Sequence, residues 1–237
     1  MVSRNGAFFM SSDTIATGVG YFGKVPQRGD FIQDQLPTDF ATNWSEWLQA
    51  GLAVSREQLE ESWSDYYMTS PIWHFALSPH VCGERAMIGS LMPSIDSVGR
   101  KFYFSIAVAV QHPPILYWEN RSWSEQAESH ILNVLDDEID LAEWVIESQQ
   151  ASWYQSIGHD SSPLQVINES HEHSIIVNPV DVNQLLHHAY QQRYGRYCLW
   201  WTNGSEHVPE CSLVTRGLPL VSQFSALLDG RWKKWGW

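Results

Sequence analysis

Gly20-Tyr21-Phe22-Gly23-Lys24-Val25-Pro26-Gln27-Arg28-Gly29-Asp30-Phe31 and Pro93-Ser94-Ile95-Asp96-Ser97-Val98-Gly99-Arg100-Lys101-Phe102 each set glycine, proline and charge among aromatic residues. Glycine takes positive φ without penalty and proline fixes φ, so each stretch predicts a loop of one defined shape. Around the second, Arg85–Leu91 and Lys101–Val110 read as strands, which makes Pro93–Arg100 the turn of an antiparallel hairpin. A further strand is expected at Ile72–Leu77, just beyond Pro71.

Outward from these stretches the apolar period changes to that of helices. Phe40, Trp44, Trp47, Leu48 and Leu52 recur on one face of a helix from Thr38, which can cap it, to about Leu52. Ser55-x-x-Gln58 reads as a capping box that opens a second helix with Leu59, Trp63 and Tyr66 inward. After the break at Pro113-Pro114, a second box, Ser122-x-x-Glu125, leads a helix through Ile131 and Leu135, and Leu141, Trp144 and Val145 continue the stripe. Gly158–Pro163 reads as a loop, Ser174–Val177 as a strand, and Asp181 as the cap of a helix carrying Val182, Leu185, Leu186, Ala189 and Tyr190. Tyr197–Thr202 is expected to be a central strand with Cys211–Arg216 beside it, and Pro219–Leu228 a last short helix. Strands interleaved with helices predict a layered α/β sandwich: a mixed, partly antiparallel central sheet with helices on its faces. Residues 1–17 read as a loose leader and 18–237 as a single domain.

Bulk composition excludes several classes. With 237 residues, 43% hydrophobic and 17% charged, the chain is globular and long enough to bury about two thirds of its unfolded surface. A net charge of −13 argues against nucleic acid, whose phosphates require a basic face. Nine Asp/Glu against one Arg lie between Glu119 and Glu147, the pattern of a solvated helix face. The basic-aromatic tail Arg231-Trp232-Lys233-Lys234-Trp235-Gly236-Trp237 could touch a membrane surface, but its three cations are too few to carry that reading. Cys82, Cys198 and Cys211 lack metal spacing, the apolar run near the N-terminus is too short for a signal segment, and no stretch approaches a membrane span. A cytoplasmic protein without cofactor is expected.

Chemistry has few footholds. Gly18-x4-Gly23-Lys24 imitates a phosphate-binding loop, but Val25 stands where a hydroxyl should hold magnesium and Pro26 follows it. His171/His173 and His187-His188 have no supporting ligand at a suitable spacing, so surface histidines are the plainer reading. Asp30, Asp96 and Arg100 have the makeup of a loop-locking ion pair; the same two carboxylates could serve acid–base catalysis if they shared a cleft. Thirteen tryptophans exceed what ordinary composition supplies. Most belong to the core, and one or two of the rings of Trp44, Trp47, Trp63, Trp73 and Phe75 could anchor a partner.

Taken in order, the first loop, Trp44-Ser45-Glu46-Trp47, Pro71-Ile72-Trp73-His74-Phe75-Ala76-Leu77 and the second loop resemble the TagF (ImpM) family, accessory proteins of bacterial type VI secretion. Leu199-Trp200-Trp201-Thr202-Asn203-Gly204 and Gly217-Leu218-Pro219 fit its tail, whereas Lys101 and Tyr103 depart from its pattern. The resemblance implies a non-enzymatic, post-translational repressor of secretion. It also implies a forkhead-associated scaffold as the partner, tied to a threonine kinase and its phosphatase. Lys24, Arg28, Asp30, Trp47, Trp73, Asp96 and Arg100 are the expected partner-binding or loop-fixing residues. The competing readings are a small hydrolase or phosphate-handling enzyme using Asp30 and Asp96, and a structural component of the secretion machine.

Overall fold

The computed structural model describes residues 18–136, 138–155, 165–169, 174–177 and 181–237. The expected leader, the 158–163 loop and the His171/His173 pair lie outside the described residues. Nine strands occur among them: β1 (Gly20–Gly23), β2 (Ile32–Asp34), β3 (Trp73–Leu77), β4 (Ala86–Met92), β5 (Phe104–Val110), β6 (Gln165–Glu169), β7 (Ser174–Val177), β8 (Cys198–Thr202) and β9 (Cys211–Thr215). Seven form one sheet in the order β2-β1-β5-β4-β3-β8-β9, while β6 and β7 make a separate hairpin. Chain segments far apart in sequence meet within the sheet, where Phe75 of β3 is opposite Trp200 of β8, the strand next to the β9 edge.

Helices cover both faces of the sheet. One face carries α1 (Thr38–Leu59), α2 (Trp63–Met68) and the short α7 (Ala226–Asp229). The other carries α3 (Pro114–Glu119), α4 (Ser122–Asn133), α5 (Leu141–Gln150) and α6 (Val182–Tyr194). Side chains alternate between the two cores: Trp73, Phe75 and Leu77 of β3 enter the α1 layer, and Ala76 enters the α4 layer. The layered α/β architecture is therefore as expected, but every strand pairing is antiparallel. A strand covered on both faces loses its polar/apolar alternation, a pattern shared with parallel strands, so the mixed sheet expected from sequence is corrected here.

Four further expectations change. Gly20–Gly23, read as part of a loop, is a strand paired on both sides, with β2 and β5. The helix break at Ser55 is absent: α1 runs on to Leu59 and stops where Glu60 takes φ 49°. Ser55 is buried within it, its hydroxyl donating to the Leu52 carbonyl and accepting from the Trp63 indole at 3.0 Å, so the polar side chain is satisfied without ending the helix. Thr38 and Ser122 are first helical residues and make no side-chain cap, whereas Asp181 does cap α6, accepting from the Gln184 N–H at 2.8 Å. Trp63 points inward on α2 as expected, but its buried companion is Tyr67, while Tyr66 is half-buried at the margin of the same core.

Tryptophan dominates the α1 layer. Trp44 stacks on Phe40 at 5.3 Å, tilts against Phe75 at 4.6 Å and lies parallel to Trp200 at 6.1 Å, while its N–H donates to the Ser105 hydroxyl. Each ring buried this way contributes on the order of 2–3 kcal/mol. The layer fits closely enough to invert a usual rule. Gly51 in α1 faces the Phe224 ring, and a Cβ there would lie 2.3 Å from it. Gly→Ala inside an exposed helix gains roughly 0.5–1 kcal/mol, but Gly51→Ala should cost about 1–3 kcal/mol by overpacking. Urea unfolding followed by tryptophan fluorescence reads the sign directly.

Candidate functional site

The two glycine-bearing loops meet at one buried carboxylate. β1 ends at Gly23, whose φ of 142° and whose approach to the Tyr103 carbonyl (2.2 Å from an added Cβ) exclude any side chain. That close approach directs Lys24 inward, where its Nζ lies 2.7 Å from Asp96 Oδ2. Asp96 sits in the β4–β5 turn, its side chain fully enclosed. Arg100 Nε donates to the same oxygen at 2.6 Å, and the backbone N–H groups of Val98 and Arg100 donate to Oδ1 at 3.1 and 2.8 Å. Two bonds then tie loop to loop: Arg100 Nη2 to the Gly29 carbonyl at 2.6 Å, and Ser97 N–H to the Arg28 carbonyl at 3.0 Å.

A carboxylate has about four acceptor positions, and all four of Asp96 are taken. Burial alone would raise its pKa; the Lys24 and Arg100 donors and the two backbone N–H groups overcome this and hold the carboxyl well below the usual range. The turn is gripped from behind by Tyr67, whose hydroxyl donates to the Ser94 carbonyl at 2.8 Å and accepts from the Ser94 N–H at 2.9 Å. Burial pushes that phenol far above its ordinary pKa, so it keeps the proton it donates. On the other flank Gln27 Nε2 donates to the Val134 and Asp136 carbonyls at 3.1 and 2.7 Å, fastening the first loop to the end of α4.

What the loops present outward is apolar with charge beside it. Phe31 is 46% exposed although it stacks on Phe22 at 5.6 Å and meets Phe102 edge-on at 4.8 Å. Val98 is 70% exposed at the tip of the turn, and Arg28, Asp30 and Arg100 also reach solvent. Asp30 takes no part in the Asp96 network. Trp47 and Trp73 are both buried, their N–H groups donating to the Pro219 carbonyl at 2.8 Å and the Leu227 carbonyl at 3.1 Å. Neither indole reaches the surface, which corrects the expectation of a tryptophan anchor at these two positions.

Other candidate chemistry stays separate. One cleft of about 680 Å³ lies among Arg85, Val110, His112, Tyr117 and Tyr154, and another of about 450 Å³ among Phe22, Asp34, Thr38 and Ser45; neither is lined by Asp30 or Asp96. Among the described residues no three His, Cys, Asp or Glu side chains gather as metal ligands would. His187 is hydrogen-bonded to the Tyr197 hydroxyl at 2.8 Å. Burial pushes the Cys82 and Cys198 thiols up to about 12, which keeps them protonated and unreactive. The terminal indoles fold back onto the protein, Trp235 donating to Asp229 at 2.9 Å and Trp237 to the Gln223 carbonyl at 3.1 Å. No helix among the described residues is long and apolar enough to cross a membrane.

Residues 20–150, which hold both loops and the helices that brace them, match the family described as TagF N-terminal domain, type VI secretion system-associated. The chain belongs to this family. Its fold is also similar to the crystal structure of PA0076 from Pseudomonas aeruginosa PAO1, with 28% identity over 90% of this chain and 94% of that chain and a TM-score of 0.73. A search of curated proteins gave no match. Within the TagF-matched segment, sequence reasoning singled out Lys24, Asp96 and Arg100, which the structure joins, and Arg28 and Asp30, which it leaves at the rim. It missed Tyr67, Phe31 and Val98 as members of the site. The last had a readable signal, since a β-branched apolar residue in the middle of a polar turn has no core to enter.

Removing the shared anion leaves Lys24 buried without its partner. Asp96→Asn should lower the melting temperature by on the order of 10 °C, and Asp30→Asn should leave it nearly unchanged. Because the folded-state pKa of Asp96 is depressed, its contribution is complete above the ordinary carboxylate range and is lost as pH falls through 4 and lower. Calorimetry between pH 7 and pH 3 should therefore find a steeper acid loss in the wild type than in Asp96→Asn.

Proposed function

We propose that this TagF-family chain is a non-enzymatic regulator that represses type VI secretion by capturing a cytoplasmic partner on the surface built by its two glycine-bearing loops. The observation that carries this reading is the division of labour within the site. The charged residues that look chemical are spent on holding one loop against the other, while Phe31 and Val98 stand outside. A general base needs a free lone pair and a route to substrate; Asp96 has neither, which argues against the enzymatic alternative with Asp30. A surface already fixed by buried hydrogen bonds loses little conformational freedom on docking. Exposed apolar side chains with Arg28, Asp30 and Arg100 around them have the makeup of a hot spot with a polar rim.

The partner proposed is the forkhead-associated scaffold of the secretion system's threonine-phosphorylation pathway, in keeping with the family resemblance. Occupying the scaffold would withhold it from assembly without any covalent step. Isothermal titration of the purified scaffold with wild type, Phe31→Glu and Val98→Glu tests the reading. Each substitution replaces an apolar anchor by charge, so affinity should drop roughly tenfold or more while the circular dichroism spectrum stays as in the wild type. The melting temperature should hold for Val98→Glu and fall by a few degrees for Phe31→Glu, which also loses the Phe22 and Phe102 contacts. Unchanged affinity in both variants would place the docking surface elsewhere, and no heat with any of the three proteins would remove the scaffold as the partner.

A further inference from the structure

The two edges of the seven-stranded sheet differ. At one end β2 is three residues long, carries Asp34 and runs straight into Gln35 at φ 61°, all devices that blunt an edge. At the other end β9 runs Cys211-Ser212-Leu213-Val214-Thr215, without charge or proline, and all five residues are in unbroken register with β8. Among the described residues its outer side pairs with no other strand. An antiparallel strand turns alternate backbone N–H and C=O groups outward, so this edge offers a row of donors and acceptors. Leu213 packs at the margin of the α1 layer and Val214 at the margin of the α4 layer, so both cores end here half-covered.

The residues that bracket the strand indicate what fits. Glu210 precedes it and Arg216 follows it; both are exposed, and among the described residues neither has an ion-pair partner in its own chain. Antiparallel pairing of β9 with β9 of a second copy must join outward-facing residues to outward-facing residues. Residues of equal parity therefore face each other across a two-fold axis that passes through a residue and not between two. The register that uses the whole strand puts the axis at Leu213. Leu213 then faces Leu213, Ser212 faces Val214, Cys211 faces Thr215, and at each end Glu210 of one copy faces Arg216 of the other. The charges left unpaired within one copy become two salt bridges between copies, and no like charges meet. We propose that the chain self-associates by β9–β9 pairing about a two-fold axis at Leu213, extending the two sheets into one.

This pairing supplies a charge-swap test. Sedimentation velocity across roughly 1–300 µM should show a monomer–dimer equilibrium. Glu210→Arg and Arg216→Glu, each of which sets like charges opposite one another twice, should weaken it roughly tenfold. The double variant Glu210→Arg/Arg216→Glu restores both pairs in reverse and should recover wild-type association. A second measurement fixes the axis. Directly opposed Cα atoms lie about 4.5–5.5 Å apart, within disulfide reach, so Leu213→Cys in a Cys211→Ser background should give a covalent dimer under mild oxidation. The same change at Ser212 faces Val214 and should not. A monomer throughout the range, single reversals without effect, failure of the double variant to recover, or no cross-link at position 213 would each overturn the proposal. So would a monomer whose β9 edge instead accepts a strand from another protein.

Discussion

One anion holds two loops. Asp96 accepts from a lysine at the end of β1, from an arginine four residues along its own turn, and from two backbone amides of that turn. Because Arg100 also reaches the Gly29 carbonyl, the same cation closes the circuit back to the first loop. Everything outward of this point, including the exposure of Phe31 and Val98, follows from how the circuit is drawn. The burial is uneven: Lys24 is enclosed, whereas 60% of the Arg100 side chain faces water. A fully buried ion pair struggles to recover its desolvation, but a buried carboxylate with four donors, one on a half-hydrated guanidinium, recovers more of it. Lys24 also sits 5.1 Å over the Phe31 ring, so the cation that binds the anion steadies the exposed aromatic as well.

Backing for this circuit comes from both layers of the fold. Tyr67 grips the turn from the α1 side and Gln27 reaches the end of α4 on the other, so the loops are braced through the thickness of the molecule. The buried pair Tyr67 and Tyr103, edge-on at 5.2 Å, links the turn to the α1 core. Rigidity here is therefore a property of the sandwich and not of the loops alone.

Part of this was legible from residue order. Glycine, proline and paired charge within ten or twelve residues announced shaped loops, and Asp96 with Arg100 at i, i+4 inside a turn announced an ion lock, because such patterns act locally. The lysine that completes it is 72 residues away and could be placed only by the resemblance. Errors arose where tertiary contact overrode a local signal. Ser55-x-x-Gln58 has the letters of a capping box, yet Trp63 at the start of α2 satisfies the serine and α1 runs through. Tryptophans that composition allowed at a surface are drawn inside because backbone carbonyls of the C-terminal segment, at Pro219 and Leu227, wait for their N–H groups. Sheet direction was hidden for another reason: a sheet roofed on both sides loses the alternation by which strands report their faces.

Strand order also separates the two surfaces of interest. The loop after β1 lies toward the β2 end of the sheet, whereas β9 closes the opposite edge. A partner seated on Phe31 and Val98 uses loops after β1 and between β4 and β5, whereas a second copy joined through β9 uses the edge beyond β3 and β8, so the two need not compete. If both operate, one dimer carries two docking faces turned away from the joint. Against a scaffold that is itself multimeric, the second contact forms at an effective concentration set by the geometry of the first. Such linkage strengthens holding by 10²–10⁴-fold without a new contact, and it vanishes when the spacing does not match. If the chain acts by occupancy, as proposed, each docking face holds one site at a time, so slow release through such linkage, and not turnover, is what keeps those sites filled.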